Sequence, residues 1–286
     1  MFRWHRVHRA AMAVAFVMTL TCGPFAHLAA ERADAIATGP TQAPTAVYAL
    51  ASWPSLLSPA SDDALRVTAV GRLDEAERIV VVVPGVGVRA AAFDAGDPES
   101  LPARAAALSD ALADVTDQRV AVVAWLGYLT PANNVEALGA GPMREGAANL
   151  VAFQEVMVRM YPDAHVTWVC HSYGTLVCAS ALVKADPDSL IMLGSPGVMV
   201  NQARDLATAA TIFAARGGVD PIRLCAALDL FGGGFGADPA SAGFGARLLA
   251  TDPGTGHSDY FRRGSTQLAE IAAAILSRHA PSTPLR

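Results

Sequence analysis

The sequence predicts an α/β fold in which a mostly parallel central sheet carries helices on both faces. Three observations lead there. From Leu65 onward, strand-like apolar runs alternate regularly with helix-like stretches, the order produced by repeated strand–helix units. The run Arg78 to Val83 (RIVVVV) is apolar at every position after its first, as expected of a strand covered on both faces. Once an N-terminal targeting segment is set aside, about 250 of the 286 residues remain, enough for one such domain with a sizeable core.

The elements follow in order. LRVTAVG, from Leu65, reads as the first strand, and RIVVVV ends abruptly at Pro84-Gly85. Residues 100 to 114 form a helix, with Ser100 as N-cap and Pro102 tolerated in the first turn. Val120 to Trp125 is a strand. Gly146 to Met160 is a helix with Leu150, Phe153, Val156 and Met157 on one stripe. His165 to Cys170 is a strand, followed at once by a helix from Tyr173 to Ala185. Ser189 to Leu193, Thr211 to Ala215 and Arg247 to Ala250 are strands, and Thr266 to Ser277 is a closing helix. Gly127 to Pro142 and the glycine-rich FGGGFG at 231 to 236 are expected to be loops over the site. The latter neither follows a strand nor opens a helix with a basic residue, so it is no phosphate cradle.

The first 35 residues read as a signal peptide. Arg3, Arg6 and Arg9 precede an apolar stretch from Ala10 to Leu20 that is short for a bilayer span, and Ala33-Asp34-Ala35 offers a cleavage pattern. An uncleaved anchor is the alternative; a lipidated Cys22 is disfavoured by Thr19 three residues earlier. Residues 36 to 63, rich in Pro, Ser, Thr and Ala, form an extended linker, and 64 to 286 the domain. Export to the cell envelope or beyond is expected, with membrane contact only through the N-terminal segment if it stays uncleaved. The formal net charge of −5, with four arginines among the first 35 residues, argues against nucleic acid or anionic membrane as charge-driven partners. Cys170, Cys178 and Cys225 permit one disulfide and one free thiol, and spacing does not choose the pair. No cysteine or histidine spacing suggests a metal, and no cofactor is implied.

Chemistry concentrates at Cys170-His171-Ser172-Tyr173-Gly174, which joins a strand directly to a helix. A turn this sharp strains the serine and projects its hydroxyl above the sheet, provided the residues two before and two after are small. Gly174 meets that demand, and Cys170 is small and apolar. Ser172 is therefore the candidate nucleophile. Two backbone N–H groups, of Tyr173 and of Val86 in the loop Pro84-Gly85-Val86-Gly87, are the candidate oxyanion donors, with Gly85 allowing close approach. His257 follows the last strand and precedes the last helix, the place for a general base; His171 is expected to point away from Ser172, and His165 begins a strand. Asp220, just after TIFAA, is the preferred acid, Asp238 its competitor and Asp252 a more distant one. Trp125 and Tyr128 are candidates for the pocket wall or, more ordinarily, the core.

These residues resemble an α/β-hydrolase domain family of unknown function from high-GC Gram-positive bacteria. The shared features are VPGVGV (83–88), AWLGY with Pro131, CHSYGT (170–175), LGSPGV (193–198), FGAR (244–247), and GHSDYF with the later Gly264-Ser265. They span roughly residues 65 to 275. The family pattern usually has Gly where this chain has Cys170. The resemblance implies the α/β-hydrolase fold and the roles of Ser172, Asp220 and His257, without a substrate. The expected activity is hydrolysis of a small-molecule or lipid-like carboxylic ester through an acyl-enzyme on Ser172. Acyl transfer to a cell-envelope acceptor is one alternative. A non-catalytic binding protein on the same fold, motivated by Cys170, is the other.

Overall fold

Eight strands form one sheet in the order β1-β2-β4-β3-β5-β6-β7-β8. The computed structural model describes residues 47–49, 65–94, 97–227 and 235–277. The expected signal peptide, most of the linker and residues 231–234 of the glycine-rich run lie outside the described residues. The strands are β1 (Val47–Ala49), β2 (Arg66–Val70), β3 (Arg78–Val83), β4 (Val120–Leu126), β5 (His165–His171), β6 (Ser189–Leu193), β7 (Thr211–Ala215) and β8 (Arg247–Leu248). β2 pairs antiparallel with β1 and with β4, while every pairing from β4 through β3, β5, β6 and β7 to β8 is parallel.

The all-apolar β3 lies between β4 and β5 at the centre, and Ile79 through Val83 are each 0% exposed. Its side chains alternate between two cores, the consequence of a strand's period of two. Ile79, Val81 and Val83 join Trp125, Phe153, Trp168 and Leu176 on one side; Val80 and Val82 join Leu108, Leu112, Ile271 and Ile275 on the other. The first core is covered by helices α3 (Ala140–Met160) and α4 (Gly174–Ala181), the second by α2 (Leu101–Ala113) and α6 (Thr266–Leu276). Two short helices, α1 (Ala90–Asp94) and α5 (Arg223–Ala227), lie in the connections after β3 and β7. Ser100 caps α2 through its side chain, accepting from the Ala103 N–H, and Ser265 caps α6 in the same way from Leu268.

Some boundaries differ from the sequence reading, each for a local reason. Helix α3 begins at Ala140, not Gly146, so the expected loop Gly127 to Pro142 is partly helical. Pro142 falls in the first turn, where its missing N–H would have had no intrahelical acceptor. A 3-10 turn at Glu136–Leu138 orders the same segment, held by Asn133, whose side-chain oxygen accepts from the N–H groups of Val135 and Glu136. Strand β5 runs one residue further than expected, to His171, and α4 starts at Gly174 and ends at Ala181. That leaves only Ser172 and Tyr173 to turn the chain.

Candidate active site

The parallel strands all end on one edge, and Ser172 stands there between β5 and α4. Its φ of +54 is one of two positive values among the described non-glycine residues. A side chain in that region costs roughly 1–2 kcal/mol, so the turn must be held from outside. Ser172 N–H donates to the Leu193 carbonyl at 2.9 Å. Its own carbonyl accepts from Thr175 twice, from N–H at 3.0 Å and from Oγ1 at 2.7 Å. A Cβ on Gly174 would fall 2.5 Å from the Pro84 carbonyl oxygen, so glycine is required for α4 to lie against the end of β3. The other arm of the turn is tied by a disulfide between Cys170 and Cys178, with Cα atoms 6.6 Å apart, while Cys225 is buried away from this bridge.

Ser172, His257 and Asp220 meet in an unbroken chain of hydrogen bonds. His257 Nε2 lies 2.8 Å from Ser172 Oγ, and its Nδ1 lies 3.0 Å from both carboxylate oxygens of Asp220. Ser172 is buried and Asp220 has no exposure, while a quarter of the His257 side chain remains open to solvent. Asp220 follows the end of β7, and His257 lies in the loop between β8 and the 3-10 turn Asp259–Phe261. The two loops pack backbone against backbone. Val219 N–H donates to the Thr255 carbonyl, and a Cβ on Gly217 or Gly218 would collide with the carbonyl oxygens of Thr255 or Pro253. Burial opposes ionisation of Asp220, yet hydrogen bonds from His257, Tyr260 and the Ile222 N–H outweigh it and hold the carboxyl below the ordinary range.

The competing acids are engaged elsewhere. Asp238 pairs with Arg216 and accepts from the Ala240 N–H; Asp252 pairs with Arg262. His165 is an exposed strand-start residue paired with Asp188. Trp125 and Tyr128 belong to the core, and the Tyr128 hydroxyl donates to the Pro84 carbonyl at 2.7 Å, steadying the loop after β3.

That loop presses directly on the serine. A Cβ on Gly85 would stand 2.7 Å from Ser172 Cβ and 3.1 Å from its Oγ. Glycine here lets the backbone reach the hydroxyl. Gly87 N–H is satisfied by the Pro131 carbonyl at 2.9 Å. No hydrogen bond among the described residues uses the N–H of Val86 or of Tyr173, which leaves both available as donors beside Ser172. Among the described residues, no group of three or more His, Cys, Asp or Glu side chains is placed to hold a metal ion.

His171, expected to point away from Ser172, bears on the site through His257 instead. Because β5 continues through His171, in register with Leu193, strand alternation puts its ring on the same face as Val169, the face covered by α6. Its Nε2 lies 2.7 Å from the His257 carbonyl oxygen, and its ring is 4.9 Å from that of His257 and 5.6 Å from that of Tyr260. Burial, then the repulsion of a protonated His257 and of Arg104, keep its pKa well below that of an ordinary histidine. Tyr260 was also missed. Its hydroxyl donates to Asp220 Oδ2 at 2.6 Å and accepts from the Gly217 N–H at 2.9 Å. The phenol is pushed upward, by burial first and then by the Asp220 charge. Its place three residues after His257 was the available signal, since the short turn at Asp259–Phe261 brings its hydroxyl to Asp220.

A profile of the alpha/beta hydrolase family matches residues 59–230. The chain belongs to this family. The matched span includes Ser172 and Asp220, while His257 lies beyond it. This alpha/beta hydrolase is 32% identical over 160 residues to an uncharacterised protein of Mycobacterium tuberculosis, a match covering 53% of this chain and 60% of the relative. It is 28% identical over 243 residues to another uncharacterised M. tuberculosis protein, covering 71% of this chain and 36% of that one. The chain thus spans less than two thirds of the length of these relatives. Among solved structures, it is similar to a serine hydrolase without a lid from Xanthomonas campestris, with a TM-score of 0.48 and 16% identity over 82% of this chain and 94% of the other. A Trichoderma reesei cutinase in complex with a phosphonate inhibitor gives a TM-score of 0.41 and 16% identity, over 71% of this chain and 77% of the cutinase.

Proposed function

We propose that this member of the alpha/beta hydrolase family is an exported serine hydrolase that cleaves carboxylic esters through an acyl-enzyme on Ser172. The observation that carries the reading is the continuous path from Ser172 Oγ through His257 to Asp220, with every step at 2.8 to 3.0 Å. In this reaction His257 Nε2 takes the hydroxyl proton as Oγ bonds to the acyl carbon. The carbonyl oxygen, now negative, accepts from the Val86 and Tyr173 N–H groups. His257 then returns the proton to the departing alcohol oxygen, and the acyl–oxygen bond breaks. Water, deprotonated by the same imidazole, releases the acid. Asp220 holds the tautomer with hydrogen on Nδ1 and faces the imidazolium with negative charge.

Two further observations support particular parts of the proposal. The Cys170–Cys178 bridge is at home in an oxidising compartment, in keeping with export, and it gives Cys170 a structural role at the position where the family usually has Gly. Exposed Leu129, Val135, Met199, Val219 and Leu224 all belong to connections that follow β4, β6 and β7, on the edge where Ser172 stands. Such a rim suits an apolar, lipid-like acyl group.

A fluorophosphonate probe tests the core claim. It should label the wild type at Ser172 and leave Ser172→Ala unlabelled; equal labelling of both proteins rejects the proposal. Incubation of a labelled-acyl ester with sugar or alcohol acceptors then separates hydrolysis from transfer. Free acid as the sole product supports hydrolysis, and acylated acceptor as the main product replaces it with transfer.

A further inference from the structure

Two buried polar side chains besides the three reacting ones are aimed at the same relay, from the same face of the sheet. We propose that Tyr260 and His171 are positioning residues for the reaction, one fixing the carboxylate of Asp220 and the other fixing the backbone that carries His257. The proposal rests on the reading of Ser172, His257 and Asp220 as the reacting groups.

The Tyr260 hydroxyl has one hydrogen to give. The Gly217 N–H occupies one side of its oxygen at 2.9 Å, and Asp220 Oδ2 lies 2.6 Å away on another, so the hydrogen is directed at the carboxylate. The opposite oxygen, Oδ1, accepts from the Ile222 N–H at 2.8 Å. Asp220 is thereby held at both oxygens while it faces Nδ1 of His257, and its plane cannot rotate without losing one of these bonds. Space for the arrangement is provided by Gly194, whose φ is +54. A Cβ there would come within 2.9 Å of Asp220 Oδ2 and 3.1 Å of the Tyr260 hydroxyl oxygen.

His171 acts on the other side of the imidazole. A carbonyl oxygen only accepts, so the 2.7 Å contact with the His257 carbonyl requires hydrogen on His171 Nε2. The ring is buried and neutral, and it fills the space between the rings of His257 and Tyr260. It is in no position to exchange a proton with Ser172, whose partner is His257 Nε2. Its effect is to set where the His257 backbone starts and how far the ring can tilt.

The two residues should leave different marks on the pH profile. A phenol that donates to Asp220 takes up part of its charge. Without it, the carboxylate grips the imidazolium more tightly, so the acid limb of the reaction should lie at higher pH. The titratable and charged groups facing the relay are Asp220, Tyr260 and His171, then Asp259, whose carboxylate accepts from the Gly256 N–H, with Arg216 and Arg104 further out. Tyr260→Phe leaves all the others in place.

The experiment measures kcat/KM for p-nitrophenyl butyrate from about pH 5 to 9, with fluorophosphonate labelling rates alongside, on wild type, Tyr260→Phe, His171→Ala and His171→Gln. Tyr260→Phe should move the acid limb upward by about half a unit to one unit, a loss of roughly three- to tenfold on the acid side with little change above pH 8. A uniformly lowered profile of wild-type shape overturns the role of Tyr260. Should that variant not fold, wild type made with 3-fluorotyrosine, a more acidic phenol, should move the limb downward, and an unmoved limb overturns the role equally. His171→Ala should slow labelling about tenfold or more at every pH, and His171→Gln, whose amide can still donate to the His257 carbonyl, should restore most of it. Equal losses in both overturn the role of His171. Absence of labelling in wild type sinks the hydrolase proposal itself, whereas normal labelling in wild type and all variants sinks only this inference.

Discussion

The Cys170–Cys178 bridge invites a quantitative test, because it closes around the strained serine. The cross-linked residues are eight apart in sequence. Removing the entropy of an open eight-residue loop from the unfolded chain stabilises the fold by about 2.5 kcal/mol at 25 °C. That exceeds the penalty, roughly 1–2 kcal/mol, for holding a non-glycine residue at positive φ, and Ser172 lies inside the loop. For a domain of this size the change corresponds to a fall of about 5–10 °C in Tm. The perturbation is to unfold the protein in reductant and refold it with both thiols free, which keeps the two sulfur atoms and removes only the bond. The assay pairs thermal melts with fluorophosphonate labelling at a temperature where both forms are folded. Reduced protein should melt lower by that amount yet still label within a few-fold of the oxidised form, since Leu193 and Thr175 continue to hold the turn. Both sulfurs are in residues with 0% exposure, so reductant added to the native protein should act only as fast as the protein opens. An unchanged Tm, or a peptide map that joins Cys225 to either partner, refutes the reasoning.

Three other outcomes follow from the geometry. Gly85→Ala should lower the labelling rate by roughly 100-fold or more while the fold persists, because the new methyl group would stand 2.7 Å from Ser172 Cβ and a displaced backbone no longer presents its donor; near-normal labelling in a folded variant removes this loop from the site. Asp220→Asn should cost about 10³–10⁴ in kcat, whereas Asp238→Asn, which loosens Arg216, should lower Tm and spare kcat; the reverse pattern would exchange their roles. Stability should fall with acid, since His171 and Asp220 both have folded pKa values below their unfolded ones. Each contribution is complete above the unfolded value and is lost as pH drops through the folded one, so the decline begins near pH 6.5 with His171 and continues through the carboxylate range with Asp220. Urea midpoints measured between about pH 4 and 8 check this, and a flat profile contradicts it.

Most of the fold was legible because its strands announce themselves. A run such as RIVVVV, apolar on both faces, has few other places to go than the middle of a covered sheet, and the strands read at Arg78–Val83, Ser189–Leu193 and Thr211–Ala215 are the strands observed. Helix starts were less legible. At Ala140 the Gly-Pro pair that suggests a loop is harmless, because a first turn makes no demand on those N–H groups. The acid was ambiguous for a plain reason: Asp220 and Asp238 both precede proline in glycine-rich surroundings, and only the distant partners, His257 for one and Arg216 for the other, tell them apart. The part played by His171 was hidden because its contact, with the His257 carbonyl, spans 86 positions. Tyr260 was hidden because its significance lies in a hydrogen bond that spans 40 positions.

The seam between the loop of Gly217-Gly218 and the loop of Pro253 to Thr255 has a consequence for how activity can be lost. With no side chain interposed, there is no compressible layer between the two segments, so Asp220 and His257 travel as one rigid piece. Heating should therefore switch molecules off one by one and not weaken them gradually. Amides on both segments should exchange with deuterium through a single shared opening.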